Sequence, residues 1–456
     1  MTTSSTPRVV VVGAGPAGLR AVEALVAAGL RPILIDEARR SGGQIYRRPP
    51  PAAERPAAAL YGFEAKKAVA LHGVLDRLGE KVDYRPGTLV WAVEGKTLSL
   101  RSDTGFETIE ADRLVLATGA MDRVLPFRGW TLPGVFTLGA AQIALKAQGV
   151  AIGRRVVLVG AGPLLPLVTH QYLSAGAEVV ASLDVTGFLP KVVNGLGLLW
   201  APWTLTKGLW YMARNLARGL LPRFGVKGLR VEGDDRVEAL VWTDAGGREH
   251  RVECDAVGAS FGLNSEIQLA DLAGCRMRFE PETHQWQPER SPEGRSSVPG
   301  IYLAGDGTAI GGADVAEAAG ERTALTLISD LGRPIDRARV AVLDRRLARH
   351  RRFRAALEAA YPFPAHLLDD LPDAEPICRC EGITVGTLRD VARRRDVDEV
   401  NRLKAFTRIG MGRCQGRVCG RAAAEILART IDRDLAAVGR LRSNPPVKPI
   451  PIEEVP

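Results

Sequence analysis

The chain has 456 residues, 46% hydrophobic and 25% charged, with a formal charge of +9 carried mostly by arginine. This is the composition of an ordinary globular protein with room for roughly two to four domains. It has no run of about 18 apolar residues to span a bilayer, and MTTSSTPR at the N-terminus lacks a signal peptide's apolar stretch. The arginines are spread along the chain except for one run, Arg345 to Arg354, which reads as the solvated face of a helix. Without aromatic platforms or a reading helix, that run does not point to nucleic acid.

The β-branched run RVVVV at 8–12 predicts a buried parallel strand. GAGPAG (Gly13 to Gly18, with Pro16 and Ala17 inside) follows, then a helix from Leu19 to Ala28 stopped by Gly29, then the strand PILID. In such a unit Gly13 permits the tight turn, Gly15 lets backbone approach a pyrophosphate, and Gly18 lets helix and strand pack closely, with the helix N-terminus facing the anion. Asp36, 18 residues after Gly18, stands where a carboxylate accepts from an adenosine ribose, and Glu37 is the alternative. Gly42 and Gly43 allow backbone past the ligand. Residues 45–65 read as a Pro- and Ala-rich loop, AKKAVALHGVLDRLG as a helix, and 82–113 as a β-meander ending in RLVLATGA.

From 154 the opening pattern returns as RRVVLVGAGPLLPLVTHQYLSAGAEVVASLD, an internal duplication at an offset of about 147 residues. Here Gly160 and Gly162 are kept, but Leu165 replaces the third glycine. The ribose-carboxylate position falls on Leu183, with Asp184 beside it, and no arginine is placed for a 2′-phosphate. The second nucleotide site therefore reads as eroded. Residues 190–226 interrupt the alternation with an apolar stretch holding Trp200, Trp203 and Trp210. It reads as a packed helical insertion, a subunit interface, or a membrane-surface contact. Strands return at 229–258. GIYLAGDGTAIGGADVAEAAGERTAL at 300–325 gives a strand, a glycine turn and a helix. A basic helix at 336–360 and a Pro-punctuated linker follow.

Four of the six cysteines fall in the last fifth of the chain: Cys378 and Cys380 as C-x-C, Cys414 and Cys419 as C-x4-C. Such a cluster reads as a metal site rather than a disulfide framework. Structural zinc favours C-x2-C knuckles, so this spacing suits a two-iron cluster better, with Gly410, Gly412, Gly416 and Gly420 free to turn N–H groups to its sulfurs. Cys254 and Cys275 stand alone and read as buried filler, which excludes disulfide-reductase chemistry. The six histidines, at 72, 170, 250, 284, 350 and 366, pair with no motif.

LVLATGA (Thr118, Gly119) and GIYLAGDGT (Gly305, Asp306) resemble the remaining signatures of two-dinucleotide-domain, glutathione-reductase-like flavoproteins, an α/β fold. The resemblance implies FAD in the first site, Asp306 on its ribityl chain, and the helix near Ala316 to Gly320 directed at the isoalloxazine. CRCE and GMGRCQGRVCG resemble the bacterioferritin-associated-ferredoxin-like [2Fe-2S] domain. With GGQIYRRP (Gly43, Gln44) and AGDGTAIGGADVAEAAG, nearly the whole chain is similar to the large flavoprotein subunit of heteromeric amine dehydrogenases and oxidases of the opine, hydrogen cyanide synthase, hydroxyproline/proline and sarcosine type. That resemblance implies a hetero-oligomer with a smaller FAD-dependent, D-amino-acid-oxidase-like β subunit. It further implies a small ferredoxin-like γ subunit, an FMN between subunits, and a cytoplasmic location, peripheral to the inner membrane if the insertion meets lipid. Electrons would be relayed here from C–N bond oxidation in the partner.

The expected layout is an FAD domain at 1–128, completed by a return segment at 263–335, around a second Rossmann-like domain at 129–262. A basic helix and linker (336–372), the [2Fe-2S] domain (373–440) and an extended tail (441–456) follow. Two other readings stay open: a self-contained NAD(P)H-dependent ferredoxin-type reductase, and a non-enzymatic scaffold with an adenine nucleotide and a structural metal.

Overall fold

The computed structural model describes residues 7–451; the N-terminal residues 1–6 and the end of the expected tail, 452–456, lie outside it. The valine run forms strand Val9–Val12 at the centre of a five-stranded parallel sheet, ordered Ile301–Leu303, Arg113–Leu116, Val9–Val12, Ile33–Ile35, Asp83–Arg85. All four valines are buried because both faces are covered, and the two-residue period divides them. Val9 and Val11 pack with Leu19, Val22 and Leu25 of helix Pro16–Ala27. Val10 and Val12 pack with Leu98, Leu100 and Ile109 of an antiparallel sheet formed by Leu89–Glu94, Thr97–Ser102 and Gly105–Glu110. Asp83–Arg85 joins the parallel sheet rather than this meander, and the expected loop at 45–65 contains the short helix Ala57–Tyr61.

The repeat builds the same figure again. Arg155–Gly160 is central, with Glu178–Asp184 and Arg223–Phe224 on one side and Ala256–Ser260 and Val135–Thr137 on the other, all parallel. The cysteine module is a small helical unit of Val385–Arg394, Val400–Thr407 and Gly420–Thr430 beside the strand pair Pro376–Cys378 and Ile383–Thr384. It shares one continuous apolar core with the second domain. Trp130 Nε1 donates to the Pro376 carbonyl at 2.7 Å across that junction. The long helix Arg337–Ala360 buries Leu343 and Leu347 against Ala318 and Ala319.

Residues 441–451 run back from the cysteine module over the first domain. Leu441 occupies the space left by three glycines: a Cβ at Gly410, Gly416 or Gly420 would lie 2.5–2.8 Å from its Cδ1. Val447 is buried with Val10 and Ile301, its N–H donates to the Trp91 carbonyl, and Lys448 pairs with Glu37.

Candidate functional site

Three glycine turns, at Gly13, Gly43 and Gly305, meet at the C-terminal edge of the first sheet. Gly13 adopts φ +107°, and a Cβ there would lie 2.3 Å from the Ala117 carbonyl oxygen. Gly43, at φ +65°, lies against Gly15 and Pro16, where a Cβ would come within 3.0 Å of the Gly15 Cα. Gly305, at φ +70°, lies on Ala17, and Gly307 lies on the Thr118 hydroxyl. Helix Pro16–Ala27 begins at Gly15 with no side chain capping its first amides, which leaves its N-terminus able to accept an anion. This is a cradle that side chains would fill, and it fits a dinucleotide.

The acidic residues divide their work. Asp36 accepts from the amides of Ala14 (2.5 Å) and Ala38 (2.7 Å), so its carboxylate is spent on shaping the turn. Burial pushes its pKa up despite those bonds. Glu37, its neighbour, projects to the surface, where Lys448 meets it. Asp306 accepts from Gly311 N at 2.9 Å and Gly312 N at 3.1 Å, ahead of helix Ala313–Asp330. Burial raises its pKa as well. Gln44 is exposed and accepts from Arg47, and Gly119 holds φ +74° beside Thr118.

At the repeat, Gly162 keeps its left-handed conformation, but Leu165 is 3% exposed and packs with Val156, Leu158, Val168 and Tyr172. Asp184, 5% exposed, accepts from the Thr186 amide and hydroxyl and pairs with Lys191 at 3.2 Å. Both features that would greet a nucleotide here are committed to the fold.

The four cysteines come together. Cys378 ends a strand, Cys380 is exposed in the following turn, Cys414 is half-buried, and buried Cys419 precedes helix Gly420–Thr430. Thiol contacts join Cys380 to Cys414, Cys414 to Cys419 and Cys419 to Cys378. The Cys419 contact, then the amides of Glu381, Cys380 and Gly410, draw Cys378 down to about 6 against burial. Cys419, then the amides of Val418 and Gly416, draw Cys414 to about 5. Cys419 is pushed far up in return. Thiolates are the metal-binding form. Four thiols with amides already directed at their sulfurs fit a cluster whose ligands are shared between two irons. Gly412 has a steric duty as well: a Cβ there would lie 2.2 Å from the Cys380 Cβ.

A short polar chain connects the two sites. The Thr118 hydroxyl donates to the Glu266 carbonyl at 2.6 Å, and Glu266 N donates back to Gly119 O. The Glu266 carboxylate receives Arg417 at 2.6 Å, and Arg417 donates to the Cys414 carbonyl. A cavity of about 110 Å³ lies alongside, lined by Met121, Glu266, Gln268, Gln415 and Arg417. Nearby, His284 pairs with buried Glu425 at 2.6 Å and stacks on Phe363 at 4.4 Å. Arg417 lies within GMGRCQGRVCG, between Cys414 and Cys419, whereas His284 belongs to no recognisable motif.

The tail fastens this junction through Arg440, which donates to both oxygens of Asp271 at 2.6 Å, while Ser443 N adds a third bond at 2.7 Å. Burial alone would raise the Asp271 pKa; these donors outweigh it and hold the carboxyl below its ordinary range. A carboxylate with a depressed folded-state pKa contributes stability above its unfolded value, near 4, and that contribution is lost as pH falls through the folded value. Hydrogen exchange of residues 441–451, corrected for intrinsic rate, is therefore expected to stay protected at neutral pH and to lose protection from about pH 4 downward. Asp271→Asn should remove this acid transition and lower protection at neutral pH. An unchanged profile in the variant would show that the pair does not hold the tail.

Tandem dinucleotide-binding folds with converging glycine turns, joined to a four-thiol module, define a flavoprotein oxidoreductase carrying an iron–sulfur domain. The pyridine nucleotide-disulphide oxidoreductase family matches residues 7–322, and the BFD-like [2Fe-2S] binding domain matches residues 376–429. The opine oxidase A subunit of Rhizobium meliloti is 38% identical over 98% of this chain and 86% of its own. Hydrogen cyanide synthase subunit HcnB of Pseudomonas protegens is 30% identical over 98% and 97%. In three dimensions, L-proline dehydrogenase from P. horikoshii superposes with a TM-score of 0.72 at 20% identity, covering 98% of this chain and 78% of that one. The chain belongs to the pyridine nucleotide-disulphide oxidoreductase family, in the group of HcnB and the opine oxidase A subunit. Its cofactors are FAD and a [2Fe-2S] cluster.

Proposed function

We propose that this chain is the electron-transfer subunit of a heteromeric amino-acid or imino-acid dehydrogenase or oxidase of the opine or hydroxyproline type. A smaller FAD-dependent, D-amino-acid-oxidase-like subunit would oxidise the C–N bond. A small ferredoxin-like chain would be a further partner, with the cytoplasm as the location. The matched relatives carry names of oxidase and synthase subunits, which supports a hetero-oligomer. The interfacial FMN has no support in the matched families, and the proposal runs without it.

The observation that carries this reading is the polar chain from Thr118 through Glu266 and Arg417 to Cys414, in a chain whose second glycine turn has a buried Leu165 where the third glycine would stand. In this reading Gly13, Gly15, Pro16, Ala17 and Gly18 take the pyrophosphate, Glu37 takes the ribose, and Asp36 supports the turn. Gly43, Gln44, Thr118, Gly119, Gly305 and Asp306 line the flavin end, while Cys378, Cys380, Cys414 and Cys419 hold the cluster. Bound FAD accepts electrons in pairs and a [2Fe-2S] cluster passes them singly. Glu266 and Arg417 keep the two sites in register.

An anaerobic absorption spectrum, with flavin, iron and sulfide assayed on the same sample, tests the reading. Flavin bands with a broad cluster absorbance, unchanged by NADH or NADPH, are expected. Bleaching of the flavin by either nicotinamide without a partner would replace this reading with that of a self-contained reductase.

A further inference from the structure

Twelve of the twenty exposed large apolar side chains among the described residues fall between Phe188 and Leu221. Leu196 is 81% exposed, Leu189 71% and Trp203 61%. They do not result from loose packing, because helix Pro202–Ala217 is turned inside out. Two of its polar residues face the protein: Asn215 is buried and donates to the Pro166 carbonyl, and Lys207 pairs with Glu64 at 2.5 Å. Its outer stripe runs through Trp203, Leu209, Trp210, Ala213 and Leu216. Thr206, the one hydroxyl on that stripe, donates to the carbonyl of Trp203 in its own helix.

The charges around this face have one sign. From 185 to 231 the sequence has seven Lys and Arg and no Asp or Glu. Arg214 lies over the Trp210 ring at 5.7 Å, and Arg352, from the basic helix Arg337–Ala360, over Trp200 at 4.5 Å. Among the described residues neither arginine has an ion pair, nor do Arg223 and Arg349.

From this geometry we infer that residues 188–221 and the adjoining arginines of helix Arg337–Ala360 form a docking surface for an anionic lipid membrane. A protein partner would be met with donors and acceptors at about one hydrogen bond per 100–200 Å², and this stripe has spent its hydroxyl internally. A second copy of the chain would bring cationic rim against cationic rim. Acyl chains under an anionic headgroup layer suit an apolar stripe with tryptophans and a cationic border. No helix of the described residues is long and apolar enough to cross a membrane, so the contact lies in the plane of the interface.

The test is flotation of the full-length, flavin-loaded chain with two sets of vesicles, pure phosphatidylcholine and phosphatidylcholine with about 30 mol% phosphatidylglycerol. Binding at least about tenfold stronger to the anionic vesicles, weakening as salt rises, is expected. Leu196→Glu/Leu199→Glu should lose binding to both sets. Arg214→Glu/Arg218→Glu should lose only the anionic preference. Both variants should keep the wild-type flavin spectrum, since these side chains are exposed. Equal binding to the two vesicle types, or full binding by the leucine variant, would overturn the inference. So would a leucine variant that sheds a co-purifying subunit or a second copy of the chain, since the face would then be a protein interface.

Discussion

Gly320→Ala is expected to yield protein that accumulates without flavin and melts far below the wild type. Helices Pro16–Ala27 and Ala313–Asp330 cross with Gly320 directly on the backbone of Ala17, and an added Cβ would lie 2.0 Å from the Ala17 carbonyl oxygen and 2.7 Å from its Cα. The obstacle is main chain on a helix whose other side is pinned, since a Cβ at Gly18 would lie 1.7 Å from the Gly13 carbonyl oxygen. Overpacking that side chains can absorb costs about 1–3 kcal/mol. Here the helices themselves must separate, so a cost of about 3 kcal/mol or more is expected from a total stability of only about 5–15 kcal/mol. Separation also moves Ala17 away from Gly305 and opens the dinucleotide cradle. Gly208→Ala is the control: its Cβ would meet nothing within 4 Å, and a helical glycine replaced by alanine gains roughly 0.5–1 kcal/mol. Thermal unfolding with flavin quantified on the same samples decides the matter. A Gly320→Ala protein with wild-type flavin content and melting temperature would refute the packing argument.

Cys414→Ser is expected to remove the cluster and leave the flavin. Cys414 contacts both Cys380 and Cys419 and receives amides from Val418 and Gly416, so it joins the two cysteine segments. A serine hydroxyl is a far poorer ligand to iron than a thiolate. Iron and acid-labile sulfide should fall to background while flavin stays near one per chain. The flavin end depends on Gly13, Gly43, Gly305 and Asp306, none of which touches Cys414. Loss of both cofactors together would contradict this separation.

Local signals made the two glycine turns, their flanking strands and the cysteine spacing legible in the sequence, because each is set by residues only a few positions apart. The packing around them was not. Asp83–Arg85 has only three residues, too few for a period, and its parallel pairing with Ile33–Ile35 is fixed by tertiary context. Asp36 and Glu37 are adjacent carboxylates, and nothing local in the sequence shows that the first accepts from the backbone of Ala14 and Ala38 while the second meets Lys448. Glu266 and Arg417 lie 151 residues apart, Asp271 and Arg440 lie 169 apart, and neither pair leaves a trace in composition or periodicity. Helix Pro202–Ala217 shows a further gap. Its period marks an apolar stripe, but a stripe does not say whether it faces core or solvent, and here the protein claims Asn215 and Lys207 instead.

The burial of Val447 beside Val10 bears on how the chain is made. Domains generally fold as units, N-terminal first, while the ribosome is still working. Here the sheet begun by Val9–Val12 lacks the strand Ile301–Leu303 until long after Arg113–Leu116 has been synthesised, and its core lacks Val447 until later still. Strand Arg113–Leu116 thus presents an unpaired edge through the whole interval between residues 116 and 301, the kind of edge that recruits other nascent chains. The first domain to emerge is the last to be completed, and a stop codon or a rare-codon pause late in the message would be felt in the sheet built from its beginning.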